Sequence, residues 1–188
     1  MTTICIKNMV CPRCIRIVKE QFEAMSLPVI EVHLGHVDLE RPLLPEEIEQ
    51  VKIFLMDYGF DLLEDRKAKL VEHIKTLLID VIHYKQEKIG TNYSNFLAQA
   101  IGKDYSTLSH TFSAEEGITI EKYIILLKVE YVKALLEYDE LSLGEIANRL
   151  QYSSLSHLSK QFKKVTGLKP SEYKKLPIKS RKLLNLLI

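Results

Sequence analysis

The apolar residues of this chain follow two different periods. In the first 65 residues, short stretches in which every second residue is apolar alternate with longer stretches in which apolar residues lie three or four positions apart. The first period is that of a half-buried strand and the second that of an amphipathic helix. The pattern predicts the order β-α-β-β-α-β for this region, with a hairpin at Gly35, and an all-α fold for the rest of the chain.

The predicted order of the amino-terminal elements is a ferredoxin-like arrangement, an α+β fold with one sheet. Cys5 and Lys7 fall on the strand face opposite the apolar one. We expect that face to be exposed, which makes it a candidate surface for a homodimer. His33 and His36 flank the hairpin turn and are expected to be exposed residues rather than metal ligands.

Two cysteines lie at the turn between the first strand and the first helix. Cys11 and Cys14 are three residues apart, and two thiolates on one turn can converge on a single soft ion such as Cu(I). The unpaired N–H groups of a helix amino terminus also favour a thiolate. Three cysteines make no disulfide framework, so the pair indicates metal binding or thiol chemistry in a reducing compartment.

The motif Met9-Val10-Cys11-Pro12-Arg13-Cys14 and the later Tyr58-Gly59-Phe60 turn give residues 2–65 a family likeness. The region resembles the heavy-metal-associated domain of copper chaperones and metal-pumping ATPases, in which a glycine usually stands at the position of Asn8. The resemblance implies that the two cysteines hold Cu(I), with Zn(II) or Hg(II) as alternatives. Two other interpretations stay open: a site that reacts with thiols, disulfides or oxidants, and a dimerisation or ligand module whose cysteines are unused.

A single amphipathic helix is predicted to follow, from about Arg66 to Lys88, with Gly90 ending it. Its apolar residues lie three and four positions apart from Leu70 to Ile82. Its second half is expected to be the first helix of the next domain. No stretch rich in Gly, Ser or Pro separates the two regions, so the junction is expected to be stiff.

From Leu108 onward the sequence matches itself at an offset of 50 residues. The matching pairs are Leu108 with Leu158, Ser109 with Ser159, Phe112 with Phe162, Gly117 with Gly167 and Tyr123 with Tyr173. Two copies are too few for a solenoid, so they indicate a doubled motif in one domain. Each copy is predicted to be helix, tight turn, helix, with Asp104 and Ser153 capping the second helices and Ser142 and Glu145 forming a capping box.

The second copy carries a longer signature, Ile146-Ala147-x-x-x-x-Tyr152-Ser153 followed by Leu158-Ser159-Lys160-x-Phe162-Lys163-Lys164-x-x-Gly167-x-x-Pro170-Ser171-x-Tyr173. With the long helix predicted between the copies, residues 74–176 resemble the AraC/XylS transcription regulators. Gln151 stands where that family usually has Gly, and Lys128 where Arg is common. The resemblance implies a double helix-turn-helix whose two second helices enter successive major grooves of duplex DNA.

The resemblance assigns the DNA contacts to the outward faces of these two helices. The residues are Ser106, Thr107, Ser109, His110, Ser156, His157, Ser159 and Lys160, together with Lys163, Lys164, Lys174 and Lys175 on phosphates. Hydroxyl groups discriminate weakly between base edges, so Lys160 is the best single candidate for reading guanine. Phosphate contacts fix the position of the protein without reading sequence.

Charge is divided unevenly along the chain. Residues 1–65 hold 6 basic and 12 acidic side chains and residues 141–188 hold 10 and 2, although the whole chain has a net charge of only +1. An acidic amino-terminal region and a basic carboxy-terminal region suggest that the basic region, residues 141–188, has a polyanion partner. No apolar run reaches the ~18 residues of a membrane span and no leader precedes a cleavage site, so we expect a cytoplasmic protein with no membrane partner.

These patterns predict four segments: a heavy-metal-associated-like domain at 1–65, the connecting helix at 66–90, an AraC-type DNA-binding domain at 91–176 and a tail at 177–188. The predicted function is a transcription regulator that responds to a soft metal or a thiol-reactive signal. The alternatives are a metal-carrying or metal-buffering protein with a fused DNA-binding module, and a thiol-redox protein. No carboxylate pair, nucleophile triad or phosphate loop has supporting context, so we do not expect an enzyme.

Overall fold

A computed structural model describes residues 2–85, 90–177 and 179–188. Its first elements are β1 (Thr2–Lys7), α1 (Pro12–Ala24), β2 (Val29–His33), β3 (His36–Leu39), α2 (Pro45–Asp57), β4 (Asp61–Leu63) and α3 (Arg66–Ile79). After a π-helical turn at Asp80–Tyr84 come α4 (Tyr93–Ile101), α5 (Tyr105–Glu116), α6 (Ile120–Tyr138), α7 (Leu143–Arg149), α8 (Leu155–Thr166), α9 (Pro170–Lys174) and a 3-10 turn (Leu184–Leu186). Among the described residues, no helix combines the length and the apolarity that a bilayer span requires.

The chain forms two compact units. The first comprises Met1–Leu77 with Ser106–Glu115, and the second comprises Leu78–Tyr105 with Glu116–Ile188. The segment boundaries that the sequence predicts at residues 65, 90 and 176 stay predictions.

The four strands form one antiparallel sheet in the order β2-β3-β1-β4. Ile6 and Val37 of the sheet pack with Val18 and Phe22 of α1 and with Phe54 of α2 in one buried apolar cluster. The rings of Phe22 and Phe54 meet edge to face, with 6.4 Å between their centroids. The alternation in the strands thus places every second side chain in the core between the sheet and two helices.

Helix α3 lies against the sheet face that bears Cys5. A Cβ on Gly35 would lie 2.6 Å from Thr76 Cγ2 of α3, and the φ of +80° at Gly35 is itself one that side chains rarely adopt. The buried Glu72 carboxylate accepts a hydrogen bond from the Asn8 N–H at 3.0 Å. The expectation that this face is exposed is therefore wrong at Cys5, which is half-buried, whereas Lys7 is exposed.

The helix predicted from Arg66 to Lys88 is α-helical only as far as Ile79. From Asp80 the backbone widens into the π-helical turn, where the Lys85 N–H donates to the Asp80 carbonyl at 2.8 Å. The Lys85 ammonium also lies 2.7 Å from the Asp80 carboxylate. Apolar periodicity does not distinguish an α-helical turn from a π-helical one, so the sequence gives no sign of this change. The predicted end at Lys88 lies outside the described residues.

The 19-residue helix α6 forms the centre of the second unit. It packs against the π-helical turn, α8 and α9, and ten of its side chains are buried, including the polar Lys128 and Glu130. The Glu130 carboxylate accepts hydrogen bonds from the Lys133 ammonium at 2.6 Å and from the Lys182 N–H at 3.0 Å. The side chain of Glu130 is therefore buried together with the donors that its charge needs.

The 50-residue repeat of the sequence is visible in the bounds of the helices. Helices α5 and α8 both have 12 residues, and their first residues are 50 positions apart. The first residues of α4 and α7, and those of α6 and α9, are also 50 positions apart. Leu108 and Phe112 of α5 are fully buried, and so are Leu158 and Phe162 of α8. Gly167, the repeat partner of Gly117, is the left-handed C-cap of α8 at a φ of +81°. The doubled helix-turn-helix pattern is confirmed at the level of its elements.

The tail folds back onto the second unit. The Tyr173 hydroxyl donates to the Ser180 carbonyl at 2.9 Å, and Arg181 lies 3.3 Å from the Glu137 carboxylate. Leu187 is buried. Part of the apolar tail is thus covered by its own chain.

Two non-glycine residues hold left-handed backbone at positions where the two resembled families usually have glycine. Asn8 has a φ of +72° and Gln151 a φ of +56°. Asn tolerates this region better than most residues because its short side chain bonds locally. The Asn8 amide donates to the Gly59 carbonyl at 3.1 Å, which also places the Tyr58-Gly59-Phe60 turn beside the strand that leads to the cysteines.

We predict that Gln151→Gly raises the free energy of unfolding by about 0.5–1 kcal/mol. A side chain in the left-handed region costs roughly 1–2 kcal/mol, and the extra freedom of glycine in the unfolded chain offsets part of that gain. Gln151→Val should instead lower the free energy of unfolding by about 1 kcal/mol, since a β-branched residue fits this conformation worst. Urea unfolding of both variants and the wild type measures the effect. A less stable glycine variant would show that Gln151 carries no strain.

Candidate nucleic-acid interface

Two adjacent serines precede α8, and the structure separates their roles. Ser154 is the N-cap, because its hydroxyl accepts the His157 N–H at 3.1 Å. The hydroxyl of Ser153, the predicted cap, lies 3.0 Å from His157 Nδ1. The prediction is wrong by one residue because both positions carry a hydroxyl and sequence pattern fixes a helix start only to within one or two residues.

Helix α8 has one buried face and one polar face. Leu158 and Phe162 are fully buried, and the Phe162 ring meets Tyr173 of α9 edge to face at 5.5 Å. The polar face carries the predicted DNA contacts of the second copy. Ser156, His157, Lys160, Lys163 and Lys164 are exposed and Ser159 is half-buried. Burial of the inner face fixes the direction in which these side chains point.

His157 is held on this face by two contacts. Its Nδ1 faces the Ser153 hydroxyl, and its ring stands edge-on to Tyr152 with 5.3 Å between centroids. The ring is therefore oriented before any partner binds.

Helix α5 also has one buried face and one exposed polar face, but its exposed face carries no lysine. Ser106, Thr107 and His110 are exposed and Ser109 is half-buried. Asp104, the predicted cap, directly precedes the first residue of the helix. The α5 face has no lysine or arginine, and the helix ends in Glu115 and Glu116. The lysines of the two helices are therefore all on α8.

A groove of about 280 Å³ runs between α6 and α8. Its lining consists of Lys122, Ile125, His157, Lys160, Gln161, Lys164 and Val165. Lys122 was not among the predicted contacts, and its only signal in the sequence is a position in the first turn of the long helix. Sequence pattern does not show that this turn lies beside α8. Of the other predicted phosphate ligands, Lys174 forms an ion pair with Asp139.

Lys128 of α6 lies in a second cavity, of about 370 Å³, between the rings of Tyr93 and Tyr152. Its ammonium lies 5.1 Å and 5.2 Å from the two ring centroids, within the range of a cation–π contact. Burial lowers the pKa of Lys128 to about 8. Tyr93 begins α4 and Tyr152 follows α7, so this lysine joins the central helix to the first helix of each copy.

The two predicted metal ligands lie together at the start of α1. Cys11 is the N-cap, and its Sγ lies 3.2 Å from that of Cys14. This distance exceeds the ~2.05 Å of a disulfide, so both are thiols. Burial, with the Cys11 hydrogen bond, raises the pKa of the Cys14 thiol. The expected preference for a thiolate is therefore not found at Cys14, because desolvation outweighs the backbone hydrogen bonds.

A third group of titratable side chains lies on the β2–β3 hairpin. His33 and His36 are half-buried, and their rings stack with 4.6 Å between centroids. One imidazole nitrogen of each histidine and one carboxylate oxygen of Asp38 all lie within 4.8 Å of one another. The expectation that both histidines are exposed is wrong, because the hairpin faces α3.

Comparison with known proteins identifies the helical region. Residues 97–176 match the family described as a helix-turn-helix domain. The chain is 23% identical to the HTH-type transcriptional regulator YtdP of Bacillus subtilis (strain 168) over 145 residues, 72% of this chain and 18% of that protein. It is 34% identical to an AraC-like transcription regulator of Streptomyces antibioticus over 82 residues, 44% of this chain and 27% of that protein. It is 36% identical to the xylose operon regulatory protein of Escherichia coli (strain K12) over 75 residues, 40% of this chain and 19% of that protein.

A solved structure gives the same result for the fold. The carboxy-terminal domain of AraT, a response regulator from Geobacillus stearothermophilus, matches with a TM-score of 0.51 and 24% identity over 62% of this chain and 92% of that one. The chain spans at most 27% of the length of the three regulators. Residues 97–176 therefore match the helix-turn-helix domain family, and this region is similar in sequence to AraC-like regulators.

Proposed function

We propose that this protein is a sequence-specific transcription regulator that binds duplex DNA, with α5 and α8 as the helices that enter the major groove. The match of residues 97–176 to the helix-turn-helix family is the observation that carries the proposal. Two of the relatives described above are named as transcription regulators and the third as an operon regulatory protein. The exposed polar faces of α5 and α8 support the same assignment.

The charges of the two helices suggest unequal roles in binding. Lys160, Lys163 and Lys164 lie on the exposed face of α8, whereas the face of α5 offers hydroxyl groups and His110. Each phosphate that a lysine neutralises releases counterions, so α8 supplies most of the salt-dependent affinity. Helix α5 then acts through hydrogen bonds to base edges, which serine and threonine can make to any base.

We predict that Lys160→Ala weakens binding to the target site by about 1–3 kcal/mol and relaxes the preference at one base position. Lys164→Ala should weaken target and scrambled duplexes alike and reduce the slope of log K against log salt by about 0.9. Fluorescence anisotropy with a site selected from a random duplex pool measures both. Lys52→Ala, which removes a lysine of α2 that pairs with Glu64, controls for net charge. Equal losses on both duplexes for Lys160→Ala would make that lysine a phosphate contact.

We also propose that residues 1–65 are a ferredoxin-like domain of the heavy-metal-associated type in which Cys11 and Cys14 bind one soft ion such as Cu(I), with Zn(II) and Hg(II) as alternatives. The strand order β2-β3-β1-β4 and the two crossing helices are consistent with that fold. Two thiols 3.2 Å apart offer the soft ligands that such ions prefer. In this proposal the ion is the signal and DNA affinity is the response.

The same pair of thiols supports two other roles. A site with two sulfur ligands also suits a protein that carries or buffers metal, and neighbouring thiols can close into a disulfide. The three roles differ in one measurable respect: only a sensor changes the affinity for DNA when the thiols react.

We predict that one Cu(I) per chain binds to the reduced protein and changes its DNA affinity by a factor of 5 to 150, the usual range for coupling between two sites of about 1–3 kcal/mol. Cys11→Ser/Cys14→Ser should abolish this binding and the response, whereas Cys5→Ser, the matched control for the third cysteine, should keep both. Copper titration followed by anisotropy with labelled duplex measures stoichiometry and coupling together.

The contrary outcomes separate the alternatives. Copper that binds the wild type but leaves DNA affinity unchanged would identify a carrier or buffer. A response to oxidant, reversed by reductant and absent with copper, would identify a thiol switch.

A further inference from the structure

The face of the sheet that α3 covers holds two rows of polar side chains. In the register of the strands, His33 pairs with His36, and His36 pairs with Cys5. Two residues after His36 on β3, Asp38 pairs with Thr3 of the neighbouring strand β1. Residues two apart on a strand share a face, so both rows point toward α3.

Three side chains of the β2–β3 hairpin, those of His33, His36 and Asp38, lie close together. The ligand atoms of His33, His36 and Asp38 all lie within 4.8 Å of one another. His33 Nε2 lies 3.7 Å from Asp38 Oδ2. Thr3 donates a hydrogen bond to Asp38 Oδ1 at 2.6 Å, which orients the carboxylate and leaves its Oδ2 toward the histidine. A hydrogen bond of this kind is typical behind a ligating carboxylate.

We propose that His33, His36 and Asp38 form a binding site for a divalent cation of the zinc class, separate from the cysteine pair. Two imidazoles and a carboxylate are the ligand set of open zinc sites, in which a fourth position stays available to another ligand. Imidazole nitrogen suits Zn(II), Ni(II) and Cu(II), whereas paired thiolates suit Cu(I). The cysteine pair lies at the start of α1, and Cys14 packs against the core on the other face of the sheet.

An ordinary ion pair does not account for the stacked rings. His33 alone lies near two carboxylates, those of Glu31 and Asp38, at 3.5 Å and 3.7 Å. His36 makes no such pair among the described ion pairs, yet its ring stacks on that of His33 and its ligand atom lies within 4.8 Å of those of His33 and Asp38. In its neutral form an imidazole offers a nitrogen lone pair to a metal ion.

The site also touches the helix that covers it. A cavity of about 270 Å³ lies between the sheet and α3, with His36, Asp38 and Cys5 on one side and His73 and Thr76 on the other. The rings of His36 and His73 are 6.1 Å apart. His73 is the residue through which α3 can reach a bound ion, which makes the site sensitive to the position of that helix.

The test uses the full-length reduced protein without a histidine tag, with Cys11→Ser/Cys14→Ser as the background. Isothermal titration with Zn(II) should give one ion per chain. Adding His33→Gln/His36→Gln should weaken zinc binding at least tenfold, and Asp38→Asn should weaken it to a smaller extent. Glu40→Gln, a carboxylate at the end of the same hairpin and outside the cluster, should leave it unchanged.

Folding is checked separately, since a hairpin variant can lose binding by unfolding. Zn(II) should raise the melting temperature of the background protein, because a ligand that binds only the native state stabilises it. The double histidine variant should keep its circular dichroism spectrum and lose this rise. A background protein that binds no zinc, or a folded histidine variant that binds it equally, would overturn the proposal. Neither outcome depends on whether the protein binds DNA.

Discussion

The buried surface of α6 is the constraint on which the helical half of the molecule depends. Ten side chains of this helix are buried, and α8, α9 and the π-helical turn all pack against it. A helix with this many apolar side chains around its circumference is stable only when other elements cover it. The tail contributes to that cover, since Lys182 donates its N–H to the α6 residue Glu130. The orientation of the polar face of α8 follows from the burial of Leu158 and Phe162 on its other side.

The two buried charges of α6 make this packing more specific than apolar contacts alone. Glu130 has a lysine and a backbone donor, so its charge is compensated. The Lys128 ammonium contacts the ring faces of Tyr93, at the start of α4, and Tyr152, just after α7. The two rings stabilise the ammonium at this buried position, where a charge without a partner is costly. Lys128 therefore favours one arrangement of α4 and α7 around α6.

Local features of the sequence predicted local structure well. Gly167 ends α8, Ser142 and Glu145 form the expected capping box, and the equal burial of Leu108 and Leu158 follows from the repeat. The helix end and the capping box depend on residues within one or two helical turns, and the burial of the two leucines depends on the likeness of the two copies. Cys11 and Cys14 could be placed together for the same reason, since three positions separate them on one turn.

Features that depend on distant pairing could not be read in this way. Cys5, His36 and His73 line one cavity, yet they lie on two strands and a helix. Periodicity assigns a residue to a face and does not name the element that covers the face. The sheet face of Cys5 therefore looked exposed, and the histidine cluster of the hairpin was missed. The shift of the cap from Ser153 to Ser154 has a different cause, because two neighbouring hydroxyl groups compete for one position.

Helix α3 and the π-helical turn follow one another along the chain where the first compact unit ends and the second begins. Helix α3 covers the sheet through Thr76 and continues without a break to Ile79. The π-helical turn follows at once, and within it His83 Nε2 lies 3.1 Å from the Leu127 carbonyl of α6. A π-helical turn holds one more residue than an α-helical one and is frequent at functional sites. The residues that cover the sheet and the residue that contacts α6 therefore lie on one stretch of helical backbone, from Arg66 to Tyr84. The coupling that we propose between the cysteine pair and DNA affinity needs such continuity, because a flexible linker at this place would absorb a change at the sheet.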